Sequence, residues 1–195
     1  MRDFYFPGIA DELFIRGKVP MTKQEVRAVM LAKLQIQKDS RVLDIGAGTG
    51  SVSIECALMA PDGQAYAAER DAEAIGLLRG NMERFGVSNI TICAGEAPQS
   101  VAHLEALDRV FIGGSGGNLE ELIGFAHRRL RPGGQLCASF ILLENLTEGL
   151  AQAKQYGFEA IEAVWVAVST RRELAGKSFF KPANPVCILS ASKKE

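Results

Sequence analysis

The sequence predicts an α/β protein with a mostly parallel seven-stranded sheet, helices on both faces and an antiparallel C-terminal hairpin. Three observations carry this prediction. Strand-like and helix-like segments alternate five times, which is the pattern of a parallel sheet with crossover helices. Two further apolar runs then follow with no helix between them. Hydrophobic residues make up 47% of the 195, with 7% aromatics and 20 glycines, a mix suited to many short turns around a full core.

The elements follow in order. Residues 1–20 carry the breakers Pro7, Gly8, Gly17 and Pro20 and read as an irregular N-terminal arm on the substrate or oligomer side. Thr22 stands where a helix N-cap would be, with Glu25 completing a capping box and Val26, Val29, Met30 and Leu34 forming the apolar stripe. Arg41–Ile45 is a short apolar strand that runs directly into glycines, and residues 49–60 have helical spacing. Residues 64–69 and 90–93 read as strands on either side of a helix over 71–85, which Gly86 closes. A fourth strand at 109–112, a helix at 118–130, a fifth strand at 135–141 after Pro132–Gly134, and a helix at 144–156 complete the alternation. The closing strands are predicted at 160–169 and 186–191. No repeat or linker divides residues 1–195, so one domain is expected.

Composition excludes several classes. The net charge of −1 gives no basic excess for nucleic acid, and no apolar run approaches the roughly 20 residues that span a bilayer. Met1–Ile15 carries Asp3, Asp11 and Glu12 and does not read as a signal peptide, so a cytoplasmic location is expected. Cys56, Cys93, Cys137 and Cys187 are far apart and lie among apolar residues, as buried free thiols do; no metal site is expected.

The most informative stretch is Val42–Glu55, VLDIGAGTGSVSIE. Gly46, Ala47, Gly48, Thr49 and Gly50 join a strand to a helix, where glycine lets the backbone turn sharply and approach a ligand. The following helix points amides and the positive end of its dipole at that ligand. Glu69 ends the second strand 23 positions after Gly46, where a carboxylate can accept bonds from two ribose hydroxyls. Together these features point to a nucleoside cofactor in a Rossmann-like fold. The spacing is GxGxG rather than the dinucleotide GxGxxG, and Asp44 precedes it. An acid there would repel a diphosphate and attract an ammonium.

This pattern resembles motif I of the class I S-adenosylmethionine methyltransferases. The resemblance extends to Glu69 as the ribose acid, to Gly95–Ala97 (GEA, with Glu96 and Ala97) as the adenine edge, and to Leu130–Gly134 (LRPGG). Gly8–Lys18 (GIADELFIRGK), Val19–Ala28 (VPMTKQEVRA) and Ile112–Leu122 (IGGSGGNLEEL) narrow it further. With them the chain is similar to the CbiT family, the decarboxylating cobalt-precorrin-6B C15-methyltransferases, from residue 8 to about 141. The resemblance implies S-adenosyl-L-methionine as cofactor, held by Thr22, Asp44, Gly46, Ala47, Gly48, Thr49, Gly50, Glu69, Glu96 and Ala97. It implies methylation of C15 of (cobalt-)precorrin-6B/7 with loss of carbon dioxide from the C12 acetate, in cobalamin biosynthesis. It also implies a homotetramer, a separate C5-methylating protein as a candidate partner, and no metal held by the protein itself.

Such chemistry needs alignment of an electron-rich bridging carbon more than it needs a strong base. No acid–base dyad is visible, and no catalytic residue is named; His103 and His127 read as structural or solvent-facing. A polycarboxylate ring calls for a locally basic pocket. Arg171, Arg172, Lys177 and Lys181 with Phe179 and Phe180 are candidates for that role in a loop overhanging the cofactor, or else belong to a solvated hairpin. Arg16, Lys18 and Lys23 form a second basic group. Gly113, Gly114, Ser115 and Gly116 follow the fourth strand and would meet the substrate; Asn118 is either a contact or a helix cap. The alternative is a small RNA methyltransferase with the same cofactor fold. The chain has IGGSGG where many of those carry (N/D)PP(Y/F), and it lacks a broad basic surface.

Overall fold

The computed structural model describes residues 7–195; the first six residues of the expected arm lie outside the described ones. Its main sheet contains β1 (Arg41–Ile45), β2 (Gln64–Glu69), β3 (Ile90–Ala94), β4 (Leu107–Ile112), β5 (Leu130–Phe140), β6 (Phe158–Val166) and β9 (Val186–Lys193). The strand order is β3-β2-β1-β4-β5-β9-β6. The neighbours from β3 to β5 pair in parallel, and β9 pairs antiparallel to both β5 and β6. Strand order reverses between β1 and β4, and the crevice beyond the carboxyl ends of these strands is where such sheets bind ligands.

Alternation along β1 distributes its side chains between two cores. Val42 faces a core shared with α1 (Gln24–Leu34), α2 (Ser51–Met59) and α3 (Ala72–Phe85), through Met30, Ile54 and Leu78. Leu43 and Ile45 face the other core, with α4 (Leu119–Arg129) and α5 (Leu143–Gln155), through Leu122 and Ala153. All four cysteines are free and buried.

The structure corrects four local expectations. Lys23, not Thr22, occupies the N-cap of α1, with no side-chain cap bond; the Thr22 carbonyl instead accepts from Arg27 Nη1 at 2.5 Å. Asn118 occupies the N-cap position of α4 but makes no side-chain cap bond; its side chain instead donates to Glu121 Oε2 at 2.5 Å. The Pro132–Gly134 turn lies within β5 as a register shift, because Leu130 already pairs with Leu107 before Gln135 pairs with Arg109. Between the closing strands the overhanging-loop reading gives way to the solvated-hairpin one, as β7 (Ser169–Leu174) pairs with β8 (Lys177–Pro182). The hairpin's two-residue turn, Ala175–Gly176, has positive φ at both positions (49° and 75°), the geometry that matches strand twist but usually recruits asparagine–glycine.

The arm is held by a buried ion pair. Arg27 and Glu55 are fully buried and meet at 2.5 Å between Nε and Oε1. Glu55 also accepts the amides of Gly8 (2.6 Å) and Ile9 (3.1 Å), and Arg27 donates to the Ile9 carbonyl. Phe14 lies under the guanidinium, 5.0 Å from ring centre to Cζ. Further along, buried Asn81 accepts from the Ile15 amide and donates to the carbonyls of Ile15 and Thr49. The arm is thereby tied to the glycine turn after β1.

Candidate active site

The glycine turn is built by local bonds. The amides of Gly46 and Ala47 both donate to the Ala68 carbonyl (2.9 and 3.1 Å), and Gly50 donates to Ala47 (2.8 Å). Gly46 has φ of 77°, and a Cβ there would stand 2.9 Å from the Gly114 amide nitrogen. The turns after β1 and β4 therefore touch through bare backbone. Gly50 serves packing instead: a Cβ would stand 2.1 Å from Leu78 Cδ1 on α3.

Beside this turn opens a cavity of about 770 Å³. It brings together Thr22, Asp44, Gly46, Ala47, Gly48, Thr49, Glu69, Glu96 and Ala97 with Gly113, Gly114, Ser115 and Gly116. Gly50, Arg171, Arg172 and Lys177 are not among its lining residues. The three cations stand on the fully exposed β7–β8 hairpin, where Arg171 bonds Glu173 and Ser178.

Two carboxylates define the electrostatics. Glu69 accepts three amides: Gly48 on Oε2 (2.8 Å), and Arg70 and Asp71 on Oε1 (2.8 and 2.9 Å). That fixes its orientation at the end of β2. Asp44 is buried, accepts from Ser53 Oγ on Oδ2 at 2.5 Å, and leaves Oδ1 with no hydrogen-bond partner among the described residues. Burial pushes its pKa up to about 7, the Ser53 bonds oppose this, and the Glu69 charge adds to it. A cation delivered to Oδ1 would satisfy the orphan atom and stabilise the charged form. The donor set fits the methionine end and ribose of S-adenosylmethionine: a buried acid for the ammonium, a fixed acid for the hydroxyls, and bare backbone between them.

A match to the family model described as "Precorrin methyltransferase domain" spans residues 12–193. The chain belongs to that family. It is 46% identical over 186 residues to the cobalt-precorrin-6B C(15)-methyltransferase (decarboxylating) of Salmonella typhimurium, covering 95% of this chain and 96% of that one. Among solved structures, a precorrin-6y C5,15-methyltransferase from Geobacter metallireducens superposes with a TM-score of 0.91 at 39% identity, covering 97% of this chain and 100% of that one. The precorrin 8w decarboxylase of Methanobacterium thermoautotrophicum superposes with a TM-score of 0.89 at 31% identity, covering 94% and 98%. This precorrin methyltransferase domain matches its relatives well beyond residue 141, to the end of β9.

Sequence reasoning missed the wall opposite the glycine turn. Ser139–Leu142 at the end of β5, Asn145 on α5, and Val168, Ala183 and Asn184 around the hairpin all line the cavity. The first group had a signal, since ligands of open α/β sheets bind beyond the carboxyl ends of strands and β5 adjoins the β1–β4 switch point. The second group depends on how β6 and β9 pair, and no local pattern announces it. The histidines stay outside the cavity; His127 packs edge-on against Phe158, its pKa lowered by burial and by Lys193 and Arg128.

Proposed function

We propose that this chain is an S-adenosylmethionine-dependent C-methyltransferase of cobalamin biosynthesis, methylating C15 of (cobalt-)precorrin-6B/7 and releasing the C12 acetate carboxylate as carbon dioxide. The unpartnered Oδ1 of Asp44 beside the glycine turn is the observation that carries the cofactor assignment. The names of the full-length relatives carry the substrate assignment. When bound, the cofactor supplies an electrophilic methyl group. Asp44 holds its ammonium, Glu69 accepts from its ribose, and Glu96 and Ala97 border the adenine. The Gly113–Gly116 turn presents backbone to the ring, so that side chains do not hold it away from the cofactor.

Orientation is then the protein's main contribution. The bridging carbon of a reduced tetrapyrrole is electron-rich through its pyrrole nitrogen, and the macrocycle can take up the electron pair left by departing carbon dioxide. No general base among the lining residues is required by this chemistry. The working assembly we propose is a homotetramer, supported by apolar residues that a single chain leaves exposed, among them Trp165, Leu174, Phe179 and Phe180. A C5-methylating protein is the proposed companion, and the location proposed is the cytoplasm. Among the described residues no helix is long and apolar enough to cross a membrane, and no group of side chains is placed to hold a metal.

Incubation with cobalt-precorrin-6B and the methyl donor, followed by mass spectrometry, tests the proposal. The expected product has gained one methyl and lost one carbon dioxide. Methyl gain without that loss would remove the decarboxylase half of the assignment, and no methyl gain would remove all of it.

A further inference from the structure

The charges of the main cavity leave a gap in the account of its substrate. Its lining holds two cations, Lys23 and Arg70, against three carboxylates, Asp44, Glu69 and Glu96. Asp44 and Glu69 are placed for the cofactor, and Arg70 is bonded to Glu96 at 3.0 Å. Among the described residues that leaves Lys23 alone to meet a ring bearing many carboxylates. Lys23 itself is loosely held: its Nζ lies 3.6 Å from Asp11, whose other oxygen is shared with Arg27 at 3.3 Å.

A second cavity, of about 520 Å³, lies next to the first. The two share Val19, Pro20, Met21 and Lys23, so this segment is a low wall between them. Arg16 and Gly17 complete the second lining, which among the described residues contains two cations and no acid. Arg16 makes no ion pair among the described residues. Glu73 lies beside Gly17, its Oε1 2.8 Å from where a Cβ would stand, and does not line the cavity. The wall is not free to drift: Asn81 fixes Ile15 on one side, and Arg27 fixes Thr22 on the other.

We propose that this second cavity is a carboxylate subsite, in which Arg16 and Lys23 take peripheral acetate or propionate groups of the tetrapyrrole while its ring lies over the cofactor. The assignment rests on the function proposed above and says which residues select a polyanionic ring. Arginine offers the paired donors a carboxylate needs, and Lys23 stands at the junction of the two cavities. Neither residue is required to touch the reacting carbon, so both act on substrate capture rather than on turnover.

The test uses the full chain and the variants Arg16→Gln, Lys23→Gln and the double variant. Each single change should raise KM for cobalt-precorrin-6B roughly ten-fold, the scale of a charge-assisted bond, with kcat within about two-fold. Dissociation constants for S-adenosylhomocysteine should stay within about two-fold, which also confirms folding. In parallel, an octacarboxylate porphyrin and its neutral octamethyl ester are titrated by fluorescence quenching. The acid should bind more weakly to all three variants, and the ester should bind all forms alike. Unchanged KM and porphyrin affinity, or equal losses for acid and ester, would overturn the subsite. If the unaltered protein transfers no methyl to the precorrin, the function fails while the porphyrin arm still judges the subsite.

Discussion

The β1–β2–β4 region and the β9–β6 edge build their parts of the cavity in different ways. Around β1 almost every constraint is short in sequence or lies between adjacent strands: the Gly46 and Ala47 amides on Ala68, Ser53 on Asp44, and Glu69 on the amides of 48, 70 and 71. At the other edge, β9 enters between β5 and β6 from the far end of the chain, and β7 and β8 pair only with each other. The first region buries its polar groups and orients them; the second leaves its cations and aromatics in solvent. The glycine turn and its carboxylates are thus held by contacts within one chain, whereas the β7–β8 hairpin presents its cations and aromatics outward.

The largest expected effect breaks the tie between arm and core. Arg27→Met removes the buried ion pair between Arg27 and Glu55, which should cost about 3–5 kcal/mol in denaturant unfolding. Replacing both residues with apolar ones of similar size should recover much of that loss, because both charges of the pair then leave the core together. If the single variant unfolds within about 1 kcal/mol of the parent, the arm is not part of the cooperative core.

Next in size is Glu69→Ala, expected to weaken S-adenosylhomocysteine binding by about 1.5–3 kcal/mol in calorimetry. Glu69→Gln keeps the side chain's length and separates ribose contact from support of the turn. Unaltered affinity in both variants would mean that the ribose lies elsewhere.

These contrasts also explain what could be read beforehand. The glycine turn, Asp44 and Glu69 were legible because strand, turn and helix are contiguous, and backbone chemistry at such a junction admits few solutions. The seven strands and the antiparallel end were legible from periodicity. Glu55 was not, since a single acid in an apolar helix gives no hint that its partner is Arg27, 28 positions earlier. The β7–β8 hairpin was legible only as one of two readings, because Ala175 adopts a left-handed turn that its residue type does not advertise. Thr22 shows the opposite error: a sound local capping pattern yielded to a tertiary demand, as Arg27 took its carbonyl.

A third prediction concerns pH. Asp44 has a folded-state pKa raised to about 7, so the folded protein holds a proton that the unfolded chain releases near 3.8. Its contribution to stability is therefore full below about 4 and is lost as pH rises through 7. Relative to Asp44→Asn, the ligand-free protein should lose stability across that window. Cofactor affinity should run the other way, because the ammonium needs the carboxylate: S-adenosylhomocysteine should bind up to about ten-fold more tightly per pH unit up to 7. 5′-Methylthioadenosine, which has no ammonium, should show a flat profile. Parallel profiles for the two ligands would place the amino group away from Asp44.

The smallest effect on the single chain is expected at the opposite edge. Phe180 is 72% exposed on β8, across the hairpin from Arg171, and touches neither core. Phe180→Ser should change intrinsic stability and cofactor affinity very little, within about 0.5 kcal/mol, as exposed substitutions do. If the hairpin is an assembly surface, the same change should lower the mass measured by light scattering, because removing a buried aromatic anchor from an interface is costly there and only there. Activity at low protein concentration would then fall and recover on concentration, since mass action restores the assembly. A variant that keeps the parent's mass at every concentration would leave the hairpin without an oligomeric role and would return its four cations to the solvent.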